Sequence, residues 1–275
     1  VSGASAAPAA AGGREGAAEA TSGAGELVVL PGGGRALFTD RSHGNMSSVG
    51  GDGAKGGVDA RARLRERCGG AVLLRGYQVH GRVVGRVHAD GARRWPIDGP
   101  DDRRSVPGAK EDLPDAREWR DGPRQPSFRA DGHAVAARGM AAMVLAADCA
   151  PVVLGAQGAV AAVHAGWRGM AAGVLEEGVR ALRDVGGSGE AFAVVGPCAG
   201  ACCYEVGEEV HAAFGAAYRH GRAIDLRAIA HERLLAAGVA EVADVAACTI
   251  CDERYFSHRR EGEQAGRQAA VAWLS

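Results

Sequence analysis

Lysine is nearly missing from this chain: Lys55 and Lys110 are its only two in 275 residues. Arginine carries the rest of the basic charge, and the formal net charge is −1. Such a balance offers no electrostatic case for a nucleic-acid or membrane partner. With the excess of alanine and glycine, the arginine bias reflects base composition rather than function. No stretch approaches the roughly 20 apolar residues of a membrane span. The N-terminal segment lacks a basic region followed by an apolar run, so no signal peptide is expected. Seven cysteines make an odd count without the density of a disulfide scaffold, and reduced thiols in a cytoplasm are the simpler expectation. Histidine occurs nine times but never as a His-x-His pair.

What is present supports one sizeable core: 47% of the residues are hydrophobic. Residues 1–25 are mostly Ala, Gly, Ser and Glu, too poor in apolar surface to offset ordering entropy, and a disordered tail is expected there. One domain is expected over 26–275, as a monomer. Within it, residues 90–130 are rich in Pro, Asp and Arg without periodicity, longer than an ordinary connection, and read as a surface insertion.

Short apolar runs bounded by Gly, Pro and polar residues predict strands at 27–30, 36–39, 71–75, 83–87, 140–147, 151–155, 159–164, 192–195 and 268–274. Helical spacing predicts helices over 58–68, 167–185, 206–218 and 226–237. The second of these is closed by Gly186-Gly187, and the last is capped by Asp225 and stopped by Gly238. Strands and helices mix without regular alternation, which favours an α+β class.

Three of the runs lead into chemistry. Ala147-Asp148-Cys149-Ala150-Pro151 follows one, and His164-Ala165-Gly166-Trp167-Arg168-Gly169 closes another. Gln78-Val79-His80-Gly81 follows a third. Two histidines and a cysteine suit a catalytic zinc with one open position. A buried structural cysteine with two hydrogen-bonded histidines is the alternative at this point. The same donor types also form blue-copper sites, which need a weak axial methionine. His43, His88, His133, His211, His220, His231 and His258 read mostly as solvated. Cys248-x-x-Cys251 has half-site spacing for a second, structural zinc completed by Cys198 with Cys202 or Cys203. Small buried thiols beside a glycine-rich turn are the favoured reading of this group.

The motifs above, with Gly44-Asn45-Met46-Ser47, Gly196-Pro197, Tyr204-Glu205-Val206-Gly207, Cys248-Thr249, Phe256 to Arg260 and Gly266-Arg267, carry a family resemblance. The chain resembles the YfiH/YlmD family, also called laccase-domain or polyphenol oxidase-type proteins. That resemblance implies a single domain with a mixed β-sheet and flanking helices, similar to the cytotoxic necrotizing factor/YfiH-like fold. It implies a purine nucleoside phosphorylase with adenosine deaminase activity, acting with phosphate on adenosine, inosine, guanosine or methylthioadenosine. It implies that His80, Cys149 and His164 bind Zn2+ and form the catalytic centre. Arg168 and Arg259 lie inside family motifs, and a guanidinium fork matches phosphate, so both are expected to bind substrate. Ala150 and Ala199 stand where the family usually has leucine and isoleucine.

Other readings stay open. The His-x-Glu and Pro-Cys-x-x-Cys signature of common zinc deaminases is absent, so Asp148 is a candidate proton donor, or else it orients a ligand. Cys149 with His164 can act as nucleophile and base, as in the related toxin domain. A Cys-His-zinc amide hydrolase editing peptidoglycan precursors and a copper polyphenol oxidase are the alternative functions.

Overall fold

The computed structural model describes residue 25 and residues 27–48, 53–94 and 129–275. The expected tail over 1–25 and insertion over 90–130 therefore fall largely outside the described residues.

The strands are β1 (Leu27–Leu30), β2 (Gly34–Phe38), β3 (Val72–Leu74), β4 (Val84–Val87), β5 (Arg93–Arg94), β6 (Gly132–Val135), β7 (Met140–Ala146), β8 (Ala150–Gln157), β9 (Ala159–Ala165), β10 (Ser188–Val195), β11 (Arg219–His220), β12 (Ala223–Ile224), β13 (Val239–Asp244) and β14 (Gln268–Leu274). The helices are α1 (Gly53–Arg67), α2 (Trp167–Ala172), α3 (Val174–Asp184), α4 (Glu208–Phe214), α5 (Leu226–Ala236) and α6 (His258–Glu261). The class is α+β, with mixed sheets and flanking helices as the resemblance implies, and β11 and β12 form a separate two-stranded ribbon beside two large sheets. One sheet runs β1-β2-β14-β7-β3 and the other β13-β10-β8-β9-β6-β4-β5. Both are mixed: β3 pairs parallel with β7, and β4 with β6, while the β8–β9 and β14–β7 ladders are antiparallel.

Strand alternation explains how the two sheets share one interior. In β9, Ala161 and Val163 join the cluster that includes Leu175, Leu182, Ile229 and Leu234 of α3 and α5. Val160 and Ala162, on the opposite face, join Val28, Phe38, Val144 and Ala270 of the five-stranded sheet. Both faces of β8 and β9 are thus covered, which is why their sequences read as unbroken apolar runs. A third cluster packs Ala60 and Leu64 of α1 on Leu37, Met143, Val271 and Trp273. The layers run α1, five-stranded sheet, seven-stranded sheet, then α3 with α5.

Two helices differ from expectation. The helix predicted over 167–185 is divided into α2 and α3 at Gly173, whose φ of 90° lies in the left-handed region that glycine tolerates. The helix predicted over 206–218 is only α4, ended by Gly215 and followed by a short 3-10 turn. The Asp225 cap is present, its carboxylate accepting from the Ala228 N–H at 2.9 Å. Among the described residues no helix is long and apolar enough to cross a membrane.

Candidate metal centre and its cavity

The chain crosses from the five-stranded to the seven-stranded sheet twice at the same end: between β3 and β4, and between β7 and β8. The first crossing carries His80 and the second carries Cys149. His164 lies opposite Pro151 in the β8–β9 ladder, two residues along from Cys149. The three donor atoms lie within 4.8 Å of one another. The His80 and His164 rings meet edge to face with centroids 4.9 Å apart. His164 is buried, Cys149 half-buried and His80 exposed. Strand-end placement thus holds for Cys149 and His164, whereas His80 comes from a loop.

That loop is shaped by hydrogen bonds. The Gln78 carboxamide donates to the Leu145 carbonyl at 2.7 Å and accepts the Leu145 N–H at 2.8 Å, clamping the loop to β7. The carboxylate of Asp131, fully buried, accepts from the main-chain N–H of Val79, His80 and Gly81 at 3.2, 2.9 and 2.8 Å. Its Oδ1 also lies 2.9 Å from Nδ1 of His164. One carboxylate therefore places two imidazoles, and it leaves Nε2 of His164 to face the thiol.

Among the described residues only His80 and Asp148 combine a side chain with positive φ, at 59° and 89°. Such backbone strain gathers where function holds it in place. Asp148 is held by its surroundings: Oδ1 accepts from the Thr249 hydroxyl at 2.7 Å, and Oδ2 from the Arg259 N–H at 2.6 Å. Both oxygens are engaged in positioning, which favours the orienting role of Asp148 over proton donation. Gly166 is required for space: a Cβ there would stand 2.9 Å from both Cys149 Sγ and His80 Cδ2.

Burial alone would raise the Cys149 pKa, but the charge on His164 and hydrogen bonds from His164 and His80 bring it below the ordinary thiol range. Burial would lower the His164 pKa, yet the Cys149 charge and Asp131 push it above the ordinary imidazole range. Without metal, the pair is thiolate and imidazolium at neutral pH. A metal must displace the His164 proton, while Cys149 already offers its lone pairs. Apparent zinc affinity is therefore expected to fall by about tenfold per pH unit on acidification through neutrality, one proton competing per ion. Competition against a chelator of known pH response measures this, and a flat profile would contradict the assignment of His164.

The donor set opens on a cavity of about 730 Å3. Among the described residues Arg75, Arg168, Arg259 and Arg267 line it, against one carboxylate, that of Asp148. Burial and Arg61 lower the Arg75 pKa to about 10, which leaves it charged at neutral pH. The Arg259 guanidinium donates to the Glu205 carbonyl at 2.6 Å and lies 4.8 Å over the Tyr204 ring. Arg168 lies 4.3 Å over the Trp167 ring and is exposed. Burial raises the Tyr204 pKa to about 12, so the cavity wall presents a neutral phenol.

Sequence reasoning missed Asp131 as a site residue and gave no role to Arg75 or Arg267. The available signal for Asp131 was an acidic residue followed by glycine at the start of an apolar stretch. Two histidines read as solvated, His133 and His211, are buried. His133 sits in the seven-stranded sheet, where burial holds it neutral with its pKa lowered to about 3. The Nε2 of His211 reaches the Arg222 carbonyl at 3.3 Å. The second cysteine group also differs: Cys202, Cys203, Cys248 and Cys251 come together, two of them exposed, and Cys198 is fully buried outside the group.

Residues 35–275 match the family described as multi-copper polyphenol oxidoreductase laccase. A purine nucleoside phosphorylase of Xylella fastidiosa is 43% identical over 161 residues, which cover 53% of this chain and 61% of that protein. Purine nucleoside phosphorylase YfiH of Escherichia coli is 38% identical over 161 residues, covering 54% of this chain and 65% of that protein. The matches to these curated relatives span less than two thirds of their length. A crystal structure of a Neisseria meningitidis protein superposes with a TM-score of 0.67 at 26% identity, covering 89% of this chain and 96% of that one. YlmD from Geobacillus stearothermophilus shares the fold, with a TM-score of 0.70 at 24% identity over 90% of this chain and 96% of that one.

Proposed function

The chain belongs to the family described as multi-copper polyphenol oxidoreductase laccase, and on that premise we propose that it is a zinc-dependent purine nucleoside phosphorylase with adenosine deaminase activity. The observation that carries this reading is one cavity in which a two-histidine, one-cysteine donor set faces four arginines. Curated relatives named purine nucleoside phosphorylase support it.

His80, Cys149 and His164 fit zinc: a thiolate and two imidazoles suit a borderline-soft ion, and a carboxylate behind His164 is the usual outer partner of such a ligand. A bound zinc ion would supply Lewis acidity and lower the pKa of water to about 7. The protein supplies the rest. Arg168, stacked on Trp167, presents its fork to a phosphate and fixes the direction of the attacking oxygen. That oxygen bonds to the ribose anomeric carbon as the glycosidic bond breaks. The bond's electron pair leaves with the purine, which takes up a proton. Arg75, Arg259 and Arg267 balance the anion's charge inside the cavity. In deamination of adenosine, water supplies the oxygen at C6 and ammonia leaves.

Copper oxidation of polyphenols receives little support from the donor sets. Among the described residues two groups can hold a metal, and only one contains histidine. Among the described residues no methionine lines the cavity to serve as an axial ligand. Amide hydrolysis is favoured by one observation, the Cys149–His164 pair oriented by Asp131, which has the order of a nucleophile, base and orienting group.

Phosphate separates the two. At fixed inosine, saturable zinc-dependent formation of ribose-1-phosphate and hypoxanthine with rising phosphate is expected. Absence of ribose-1-phosphate from every purine nucleoside, with zinc-dependent cleavage of a muramyl-serine amide, would transfer the assignment to the hydrolase. Arg168→Lys should lower kcat/KM for phosphorolysis by roughly tenfold to a hundredfold, since charge survives but the planar two-bond fork does not. An unchanged constant would remove Arg168 from the phosphate site.

A further inference from the structure

We propose that Cys202, Cys203, Cys248 and Cys251 bind a second zinc ion, a structural one, at a closed four-thiolate site. The four are free thiols whose sulfurs lie within 4.8 Å of one another. Cys202–Cys203, Cys202–Cys251, Cys203–Cys248 and Cys203–Cys251 are separated by 3.4, 3.5, 3.4 and 3.2 Å. Zinc bound tetrahedrally at about 2.3 Å from each sulfur places the sulfurs about 3.8 Å apart. The observed cluster has that scale before any ion is added.

The backbone explains how two adjacent cysteines can serve one ion. In an extended strand their side chains would point to opposite faces. Here residues 201–203 form a turn, and the N–H groups of Cys203 and Tyr204 both donate to the Gly200 carbonyl, at 3.2 and 3.0 Å. Successive side chains are then about 100° apart, as in a helical turn, and both thiols face the Cys248–Cys251 loop. That loop is fixed independently. Arg260 donates to the carbonyls of Thr249 and Ile250 at 2.8 and 2.9 Å, and the Gly200 N–H donates to Cys248 Sγ at 3.2 Å. A main-chain donor to a ligand sulfur is the kind of outer partner that metal sites carry. A tetrahedral all-sulfur set selects zinc or an iron–sulfur cluster among common ions, and a single set of four thiols at this spacing suits one ion.

The site joins two walls of the cavity. Tyr204 follows Cys203 directly, and Thr249, next to Cys248, donates to Asp148. The second ion would act as a staple holding Tyr204 and Asp148 in place, distant from any bond made or broken. This inference does not depend on which substrate the cavity takes.

The experiment is a cobalt titration of the reduced full chain, followed by native mass spectrometry and absorption. Two ions per chain are expected. Cys149→Ala should keep one ion with intense thiolate-to-cobalt charge transfer, and Cys251→Ser should keep one ion without the four-thiolate spectrum. A wild-type chain that takes up one ion only, with four cysteines freely titratable in the loaded protein, would overturn the proposal, and this measurement requires no variant to fold. Acid-labile sulfide in the isolated protein, or a mass lower by two hydrogens from a disulfide among these four cysteines, would overturn it as well.

Discussion

Cys149→Ala will leave a folded chain that has lost zinc at the His80–His164 centre and whose phosphorolysis has dropped by roughly a thousandfold or more. The side chain is half-buried in a short crossing loop rather than packed in a core cluster, so its removal costs the fold about 1 kcal/mol. The cost to the centre is much larger. Two imidazoles without a thiolate make a poor set for a borderline-soft ion, and one of them is exposed. His164 also loses the charge that pushes its pKa upward. Zinc content, circular dichroism and ribose-1-phosphate formation on the same preparation decide the matter. Full zinc retention in Cys149→Ala and in His164→Ala would sink the metal assignment. Lost activity with zinc retained would mark Cys149 as a nucleophile.

Asp131→Ala carries the second large effect, although Asp131 touches neither metal nor cavity in this reading. Its carboxylate satisfies three consecutive main-chain N–H groups and fixes Nδ1 of His164. Alanine leaves those part-buried donors without an acceptor, where each missing charge-assisted bond costs at most about 1.5–3 kcal/mol. Water entering the gap recovers part, and a net loss of about 3–5 kcal/mol is expected. The positive φ of His80 loses its support at the same time. Disturbing the outer partner of one metal-bound histidine typically lowers affinity by about 10–100-fold, and here two histidines depend on one partner. Zinc affinity should therefore fall to at least the lower end of that range, with a lowered Tm. Asp131→Asn should be milder, since its carbonyl oxygen still accepts while its NH2 cannot. Wild-type zinc affinity and Tm in Asp131→Ala would refute the keystone role.

The contrast between these residues shows what a sequence can disclose. Cys149 and His164 announce themselves because they close unbroken apolar runs, and those runs exist because β7 and β9 are covered on both faces. Asp131 has no such context. Its partners are main-chain groups some fifty residues earlier, and main-chain groups have no letters. The pairing of strands is equally hidden: β3, β7 and β14 each read correctly as strands, but which sheet each joins is decided by long-range hydrogen bonding, so the division into two large sheets is not written in any one run. Strands β6 and β13 were missed for local reasons. β6 has four residues at the edge of a polar stretch, and β13 is an edge strand whose Glu241 and Asp244 interrupt the apolar pattern. Among the cysteines, the Cys248-x-x-Cys251 half was legible by spacing. The other half depended on a turn at 201–203 that places neighbouring thiols together, whereas spacing offered the buried Cys198 with one of Cys202 and Cys203.

The double crossing between the sheets has a mechanical consequence. His80 and Cys149 sit on the only two described connections that step from the first sheet to the second at this end, so an ion held there rivets one plate to the other. Sliding of the plates would be felt first as a change in ligand distances. Ala162, two residues before His164 on the inter-sheet face of β9, is one such lever: a larger side chain there would wedge the plates apart and retune the metal centre from within the protein's interior.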